Sequence, residues 1–203
     1  MIDVDFIEIG TSDFETLIES ATDLDVGICV EPLSYYLEKL PNKKLVTKIN
    51  CAISFDDLEN DIDIYYIPVD TLKAHNLHLG LRGCNRIGEY HPHHIRYRLT
   101  HLVQIEKVKQ IPISKLLIDN NIRKIKHLKL DTEGGDCFIL KNLISYLKDK
   151  DKTFYPQQIT FETNMLTNLN LIKETVDLYI NYGYEIVSKN IWGEEGNTVL
   201  VLT

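Results

Sequence analysis

The sequence predicts an α/β fold with a mostly parallel sheet, helices on both faces and an antiparallel strand at the C-terminal end. Apolar runs of strand length alternate with helical patterns through most of the 203 residues, as in parallel sheets joined by crossover helices. The last two runs, 184–189 and 197–202, are joined by a loop too short for the crossover of a dozen or more residues that parallel neighbours need. The chain length is typical of one domain, 1–203, which buries roughly 70% of the surface exposed by an unfolded chain.

Strands are predicted from short apolar runs, several of which end at glycine, proline or an acidic residue, and helices from apolar residues at helical spacing. The predicted strands are 4–9, 26–31, 44–53, 62–69, 103–109, 127–131, 158–163, 184–189 and 197–202. The predicted helices are 13–21, 33–40, 113–120, 137–148 and 168–181. The run 62–69 is expected to lie outside the row of core strands. Asp13 and Asp136 are candidate helix N-caps, and a turn from Trp192 to Gly196 should join the last two strands.

The charge and the cysteines exclude several classes of protein. The net charge of −8 disfavours nucleic-acid binding, which depends on Lys and Arg neutralising phosphates. No apolar run approaches the roughly 20 residues of a membrane span, and residues 1–5 do not resemble a signal peptide. Cys29 and Cys51 lie in apolar runs that predict buried free thiols, as in a reducing compartment. We therefore expect a cytoplasmic protein with neither a nucleic-acid nor a membrane partner.

Residues 70–101, called here the Arg/His segment, differ chemically from the rest of the chain. Six of the seven histidines lie in it, and the stretch 82–98 contains four arginines and one acidic residue, a local net charge of +3 without the histidines. The arginines are Arg82, Arg86, Arg96 and Arg98. Arginine binds phosphate and carboxylate groups through paired hydrogen bonds, so the segment predicts a binding site for an anionic small molecule.

The first motif that indicates chemistry lies at the end of the first predicted strand. Glu8 is the acidic residue near the end of this apolar run, and Gly10 and Ser12 follow the run. Glycine there lets the backbone turn tightly beside a ligand. Glu31 ends the second predicted strand, 21 residues after Gly10. This spacing suits a carboxylate that accepts hydrogen bonds from both hydroxyls of an adenosine ribose. The motif lacks the second glycine of a GxG pattern, because Ser12 stands in its place.

The second motif is the run HLKLDTEGGD at 127–136. An apolar strand brings Asp131 and Glu133 to its carboxyl end, and two glycines then allow close backbone approach before a helix. Glu162 ends the run 158–163 and is expected on the same edge of the sheet. Ligands bind at this edge in open α/β sheets, so the three acids are candidate site residues.

In order along the chain, these motifs resemble the FkbM family of S-adenosylmethionine (SAM)-dependent O-methyltransferases. The matching segments are FIEIGTSD at 6–13, VEP at 30–32, NCAIS at 50–54, LKLDTEGGDCFILKNL at 128–143, ITFE at 159–162 and YGYEIV at 182–187. The resemblance implies a Rossmann-like fold, SAM as the methyl donor and a hydroxyl or carboxyl acceptor. The sugar hydroxyls usual for the family imply a small-molecule or glycan acceptor, and the arginines point to a sugar phosphate.

The same resemblance implies roles for individual residues. Four residues would line the methionine part of SAM: Glu8, Gly10, Thr11 and Ser12. Glu31 with Pro32 would hold the ribose, Ala52 and Ile53 would lie near the adenine, and Asp131 would face the SAM amino group or the acceptor. The acceptor would contact Arg82, Asn85, Arg86, Arg96 and Glu162. The general base would be His91, His94, Asp131 or Glu133. No metal is expected, although Asp131, Glu133 and Glu162 have the oxygen ligands that Mg²⁺ prefers.

Three alternatives remain open. A nicotinamide-dependent oxidoreductase would need GxGxxG after the first strand, and two of these glycines are missing. An RNA cap 2′-O-methyltransferase uses a Lys-Asp-Lys-Glu set, to which Asp131 and Glu162 would contribute. The acidic net charge disfavours this reading and the Arg/His segment favours it. The third alternative is a non-catalytic binding or scaffold protein that keeps the fold, and Ser12 in place of glycine is its main support.

Overall fold

The computed structural model describes residues 1–190 and 196–203. The predicted turn from Trp192 to Gly196 therefore lies outside the described residues, apart from Gly196. The strands are β1 (Ile2–Ile9), β2 (Gly27–Val30), β3 (Val46–Ile49), β4 (Ala52–Ile53), β5 (Asn60–Tyr66), β6 (Arg86–Ile87), β7 (Gln104–Ile111), β8 (Ile122–Leu130), β9 (Gln158–Glu162), β10 (Tyr184–Lys189) and β11 (Asn197–Leu202). The α-helices are α1 (Leu17–Ser20), α2 (Ser34–Leu37), α3 (Val69–Ala74), α4 (Pro92–Arg96), α5 (Ile113–Asp119), α6 (Asp136–Leu147) and α7 (Leu169–Asn181).

Seven strands form the main sheet in the order β10-β11-β9-β8-β1-β2-β3. The pairs β3–β2, β2–β1, β1–β8 and β8–β9 are parallel, whereas β11 is antiparallel to both of its neighbours. This arrangement confirms the predicted fold class, including the antiparallel strand at the C-terminal end. The strand order reverses between β1 and β8, and the carboxyl ends of strands at such a switch point form the usual ligand crevice of an open α/β sheet.

The core lies on both faces of this sheet. Ile7, Leu128 and Ile159 of the central strands are fully buried, and α5, α6 and α7 cover one face with apolar side chains. The short helices α1 and α2 cover the first strands on the other face, where Ile18 packs with Phe6 and other apolar residues. Burying a side chain of this size contributes roughly 1.5–3 kcal/mol, so the apolar runs dictate this layering.

The chain between β3 and β8 builds a second sheet, in the order β4-β7-β5-β6. The prediction of one strand over 44–53 is wrong, because β3 ends at Ile49 and Ala52–Ile53 pairs with β7 in this other sheet. The run predicted as an outlying strand at 62–69 corresponds to β5, and the run at 103–109 to β7. Hydrophobic pattern identifies an apolar run but not the strand with which it pairs. The Arg/His segment lies within this part of the chain.

Helix 13–21 is predicted too long, and Asp13 is not its N-cap. The helix covers Leu17–Ser20 only and begins after Thr16, whose backbone N–H donates to the Glu19 carboxylate at 3.2 Å, as in a capping box. Asp13 instead forms ion pairs with Arg82 and Lys39. The helix predicted at 33–40 is likewise shorter and covers Ser34–Leu37.

Two further findings concern cysteines and membranes. All four cysteines are buried free thiols, as the sequence predicted for Cys29 and Cys51. Burial raises the pKa of the Cys51 thiol to about 11, so this side chain remains a protonated, inert packing group. No helix within the described part of the chain has both the length and the apolar character to cross a membrane.

Candidate active site

A cleft of about 750 Å³, open to solvent at its mouth, lies at the carboxyl ends of β1, β2 and β8. We call it the first cleft. Its position is the switch point at which the strand order reverses. Most of the residues that the sequence analysis selected line it, namely Gly10, Thr11, Ser12, Glu31, Pro32, Ala52, Ile53, Asn85, Arg86, Asp131 and Glu133.

Gly10 allows the ends of β1 and β8 to approach each other. Its φ angle is +81°, and a Cβ atom at this position would lie 1.9 Å from the carbonyl oxygen of Asp131. The Gly10 N–H donates to the Val30 carbonyl at 2.9 Å, which also joins the turn to β2. Any side chain at this position would therefore separate the strands that form the floor of the cleft.

Glu31 holds the turn that follows Gly10. Its carboxylate accepts the backbone N–H of Ser12 at 2.8 Å and that of Leu33 at 3.0 Å. Burial raises the pKa of this carboxyl to about 7, against the opposing effect of those two hydrogen bonds. Ser12 has φ +48°, a left-handed conformation that glycine adopts most easily, and its buried hydroxyl has no hydrogen-bond partner among the described residues.

Apolar side chains form one wall of the first cleft. Val30, Ala52 and Ile53 come from β2 and β4, and Ile64 and Ile87 come from β5 and β6 of the second sheet. Sequence reasoning did not find Ile64 or Ile87, because neither carries a motif and only the pairing of β5 with β6 brings them here. The wall suits a flat apolar ring such as a nucleobase.

Glu8 does not line the first cleft, although the resemblance had implied that it would. It is fully buried, and its carboxylate accepts hydrogen bonds from Lys129 Nζ at 2.8 Å and from the Leu17 backbone N–H at 2.7 Å. Lys129 also donates to the Glu15 carbonyl. Burial raises the pKa of Glu8, and Lys129 opposes that shift. Glu8 therefore joins β1, β8 and the start of α1, and Lys129 is held away from the cleft.

Several acidic side chains gather where β8 and β9 end. Asp136 is fully buried and accepts hydrogen bonds from the Thr132 and Glu162 backbone N–H groups at 2.9 and 2.7 Å. It joins the two strand ends and is not the helix N-cap, a position that Gly135 occupies. Burial and the charge of Asp136 raise the pKa of Glu133 to about 8, and Arg86 opposes this shift. Burial also raises the pKa of Asp131, although water reaches this side chain through the cleft.

A second cavity of about 1230 Å³, also open to solvent, lies beside the first cleft. Its walls come from the Arg/His segment on one side and from the loop after β9 on the other, and include His91, His93, Arg96, Glu162 and Asn164. Glu133 lines both this cavity and the first cleft, and among the described residues no other does so.

His91 connects the Arg/His segment to Glu133. It is 1% exposed, and its Nε2 lies 3.2 Å from Oε2 of Glu133. Its Nδ1 accepts the backbone N–H of His93 at 3.1 Å, so the proton of the neutral ring resides on Nε2. Burial, followed by the charge of Arg86, lowers the pKa of His91 to about 4, and the ring is neutral near pH 7.

Known proteins supply one decisive comparison. A family model described as the methyltransferase FkbM domain matches residues 9–186. The chain belongs to the FkbM methyltransferase family. No curated relative and no solved structure shows significant similarity to it. The match confirms the resemblance found in the motifs, and it spans β2, β3, β8 and β9 of the main sheet and the whole Arg/His segment.

The arginines of this FkbM methyltransferase have different environments. Arg82 forms an ion pair with Asp13 at 2.9 Å and stacks over the Phe14 ring. Arg86 lines the first cleft and pairs with Glu89 at 2.7 Å, whereas exposed Arg96 lines the second cavity. These ion pairs neutralise part of the positive charge that distinguished the segment in the sequence.

The remaining candidates fall into two groups. Glu162 lines the second cavity, accepts a hydrogen bond from Asn164, and has one oxygen without a hydrogen-bond partner among the described residues. Burial and the neighbouring acids raise its pKa to about 10. His94 is fully buried and lines neither cavity. In the described ranges, no group of three or more His, Cys, Asp or Glu side chains is arranged to hold a metal, and this includes Asp131, Glu133 and Glu162.

Proposed function

We propose that this methyltransferase uses SAM to methylate a hydroxyl group of a small polar acceptor, with sugars and sugar phosphates as the first candidates. The observation that carries the proposal is the first cleft. It combines a buried carboxylate, an apolar wall and a group of acids at the switch point of a methyltransferase sheet.

The chemistry of the first cleft fits SAM part by part. Glu31, directly after β2, would accept hydrogen bonds from ribose hydroxyls, and the wall containing Ala52 and Ile53 suits adenine. Two polar atoms that line the cleft region, Ser12 Oγ and Asn85 Oδ1, are buried without partners among the described residues. A ligand that reaches them would satisfy them, because buried polar atoms are normally hydrogen-bonded.

The charge of the first cleft also fits. Asp131 and Glu133 line it with raised pKa values, because burial and neighbouring acids disfavour their charged forms. Lys129 only partly offsets the shift of Asp131, and Arg86 only partly offsets that of Glu133. A cationic ligand favours the ionised carboxylates, so binding and deprotonation support each other. SAM supplies such charge through its sulfonium and ammonium groups, and it provides a methyl group for direct displacement.

The residues of the chain align and enclose the reactants rather than form a covalent intermediate. Glu31 and Ser12 would fix the donor, and the second cavity would receive the acceptor, whose anionic group Arg96 could bind. Holding two reactants in one geometry can by itself account for a large part of a rate enhancement.

The test is release of S-adenosylhomocysteine (SAH) from SAM in the presence of defined acceptors. Glucose, glucuronate, glucose 6-phosphate and a short capped RNA would be incubated separately with the protein. We expect release with one or more of the sugar compounds above the level seen without acceptor. Release with the capped RNA alone would instead favour the cap methyltransferase, and binding of SAM without release in any mixture would favour a scaffold.

The structure gives little support to the cap methyltransferase. That reaction uses a Lys-Asp-Lys-Glu set. Lys129, two residues before Asp131, is instead bound to the Glu8 carboxylate and the Glu15 carbonyl. Asp131 and Glu162 also line different cavities. The net charge of −8 points the same way, because RNA binding depends on basic side chains.

A further inference from the structure

We infer that Glu133 is the general base that takes the proton of the acceptor hydroxyl, and that His91 is a positioning residue which holds it at the wall between the two cavities. This inference rests on the proposed function and deepens it. Of the four candidate bases His91, His94, Asp131 and Glu133, only Glu133 then takes the proton, and the acceptor binds in the second cavity.

Glu133 lies where a general base for methyl transfer is needed. A base for methyl transfer must contact the acceptor oxygen while that oxygen faces the donor, so it must be reachable from both sites. Glu133 meets this condition because it lines both the first cleft and the second cavity. Its Oε2 faces His91, whereas its Oε1 lies 4.0 Å from the point where a side chain of Gly83, a residue of the first cleft, would begin.

The backbone conformation at Glu133 is unusual. Its φ angle is +54°, a left-handed conformation that residues other than glycine rarely adopt. The next residue, Gly134, has φ +105°, and a Cβ there would lie 3.3 Å from the Leu166 carbonyl. These constraints place the Glu133 side chain between the cavities, and unusual conformations of this kind concentrate at functional sites.

His91 positions Glu133 and does not itself act as the base. Its Nδ1 already accepts the His93 N–H, and its Nε2 carries the proton that it donates to Glu133. Neither nitrogen is therefore available to take a proton from the acceptor. A donor that holds one carboxylate oxygen fixes the direction of the other, which is the contribution expected of a positioning residue.

The other acids and His94 are worse placed. Asp131 lines the first cleft only, Glu162 lines the second cavity only, and His94 lines neither. Burial and the charge of Glu133 raise the pKa of Glu162 to about 10, so it stays protonated near neutral pH and can donate a hydrogen bond to the acceptor. The pKa of Glu133, raised to about 8, gives it the basicity expected of a group that deprotonates an alcohol.

The step balances without a further reactant. The acceptor oxygen forms a bond to the methyl carbon, the methyl–sulfur bond breaks, and its electron pair remains on sulfur. The hydroxyl proton moves to Glu133, which later releases it to solvent. The charged or titratable groups near Glu133 are Arg86, Asp131, Asp136, His91, Glu162 and Cys84. Burial and the charge of Asp136 raise the pKa of Glu133 and Arg86 lowers it, which influences the pH at which this transfer occurs.

The principal experiment compares Glu133→Gln with wild type. Glutamine can still accept the His91 proton but cannot take one from the acceptor. Calorimetry gives the Kd for SAM, and SAH release with the sugar compounds above gives kcat and KM at pH 6.5–9. We expect kcat to fall about 100-fold or more, with the Kd for SAM and the acceptor KM within threefold of wild type. Exposed Glu185→Gln on β10 is the control and should leave all three values unchanged.

The role of His91 requires a separate comparison. His91→Gln retains a donor N–H for Glu133, and His91→Leu does not. We expect kcat near wild type for the glutamine variant and a loss of about tenfold for the leucine variant. The rise of kcat with pH should also move to higher pH in His91→Leu, because a carboxylate that loses a hydrogen-bond donor is harder to ionise. Exposed His101→Leu controls for loss of a histidine from this part of the chain.

Nitrogen NMR of histidine-labelled protein tests the geometry without any acceptor. We expect the His91 proton on Nε2, and a proton on Nδ1 would overturn the positioning role. If SAM binds and Glu133→Gln keeps kcat within threefold of wild type, Glu133 is not the base although the proposed function stands. If SAM does not bind to wild type, the proposed function itself fails.

Discussion

The two cavities differ in how their polar side chains are held. In the first cleft, Glu31 is fixed by two backbone N–H groups of its own loops, and Gly10 packs directly on the backbone of Asp131. Around the second cavity the polar side chains hold one another: His91 pairs with Glu133, and Asn164 donates to Glu162. Behind this wall, both ring nitrogens of buried His94 in the Arg/His segment lack hydrogen-bond partners among the described residues. The first cleft is built by the backbone of the main sheet, and the second cavity by the packing of the Arg/His segment onto that sheet.

Under the proposed function, with SAM in the first cleft and the acceptor in the second cavity, this difference separates two tasks. A donor site serves the same molecule in every turnover, and backbone hydrogen bonds preorganise it at little entropic cost on binding. An acceptor site determines substrate choice, and loops on a rigid scaffold commonly carry such specificity. Glu133 lies in the loop after β8 of the main sheet and is held by His91 of the Arg/His segment, so it connects the two sites.

The largest expected effect follows from exchanging glycine for alanine in each region. Gly10→Ala would place a Cβ 1.9 Å from the Asp131 carbonyl oxygen at φ +81°. We expect it to lower the free energy of unfolding by roughly 3 kcal/mol or more, because strand displacement adds to the cost of the left-handed backbone. Gly88, in the Arg/His segment, has φ +74°, and a Cβ there would have no atom within 4 Å. Gly88→Ala should therefore lower the free energy of unfolding by only about 1 kcal/mol.

Urea denaturation of the two variants measures both values. Equal losses of stability would show that the ends of β1 and β8 tolerate separation. The first cleft would then not be the rigid member of the pair.

Buried His94 of the Arg/His segment should make the stability of the protein depend on pH. Burial, with the charges of His91 and His93, lowers the pKa of His94 to about 4. Between about pH 6.5 and pH 4 the unfolded chain therefore binds a proton that the folded protein does not, so this group lowers stability as the pH falls. His94→Phe should gain about 2 kcal/mol relative to wild type between pH 7.5 and pH 4.5.

The stability of His94→Phe and wild type is compared by denaturation at both pH values. Exposed His101→Phe is the matched control for loss of a histidine. A difference between His94→Phe and wild type that does not change with pH would mean that His94 is protonated in the folded protein at low pH.

A smaller effect is expected at Ser12. Its φ of +48° is unfavourable for serine, and its hydroxyl is buried without a partner among the described residues. Ser12→Gly should therefore raise the free energy of unfolding by about 1 kcal/mol or less in the absence of ligand. Thermal unfolding with and without SAM separates the two roles of this residue. A larger shift on SAM addition in wild type than in the variant would show that the hydroxyl contacts the ligand.

The sequence predicted the main sheet because β1, β2 and β8 carry apolar residues up to their ends and are followed by Gly10, Glu31 and Asp131. The last strand pair was predicted from loop length alone. The second sheet was not predicted as a sheet, although its two long strands were predicted as the runs 62–69 and 103–109. Hydrophobic pattern does not show which strands pair, and Ala52–Ile53 is too short to separate from β3. Helix α1 was overestimated because the turn that holds Ser12 and Asp13 contains residues that also occur in helices.

The site was predictable where a residue type has one role at a strand end, as for Gly10 and Glu31. It was not predictable where a role depends on a distant partner. Glu8 occurs in the motif but binds Lys129, and His91 and His94, three residues apart, have unrelated environments. Ile64 and Ile87 reach the first cleft only through the pairing of β5 with β6.

The measurement that tests the account most directly is calorimetric titration of the protein with SAM and with SAH, in wild type and in Glu31→Ala. Glu185→Gln serves as the control, and thermal unfolding verifies that each variant is folded. We predict micromolar binding of both ligands to wild type and to the control, weakened tenfold or more by Glu31→Ala. Failure of wild type to bind either ligand, or equal affinity of the folded Glu31→Ala variant, would contradict the assignment of the first cleft as the donor site.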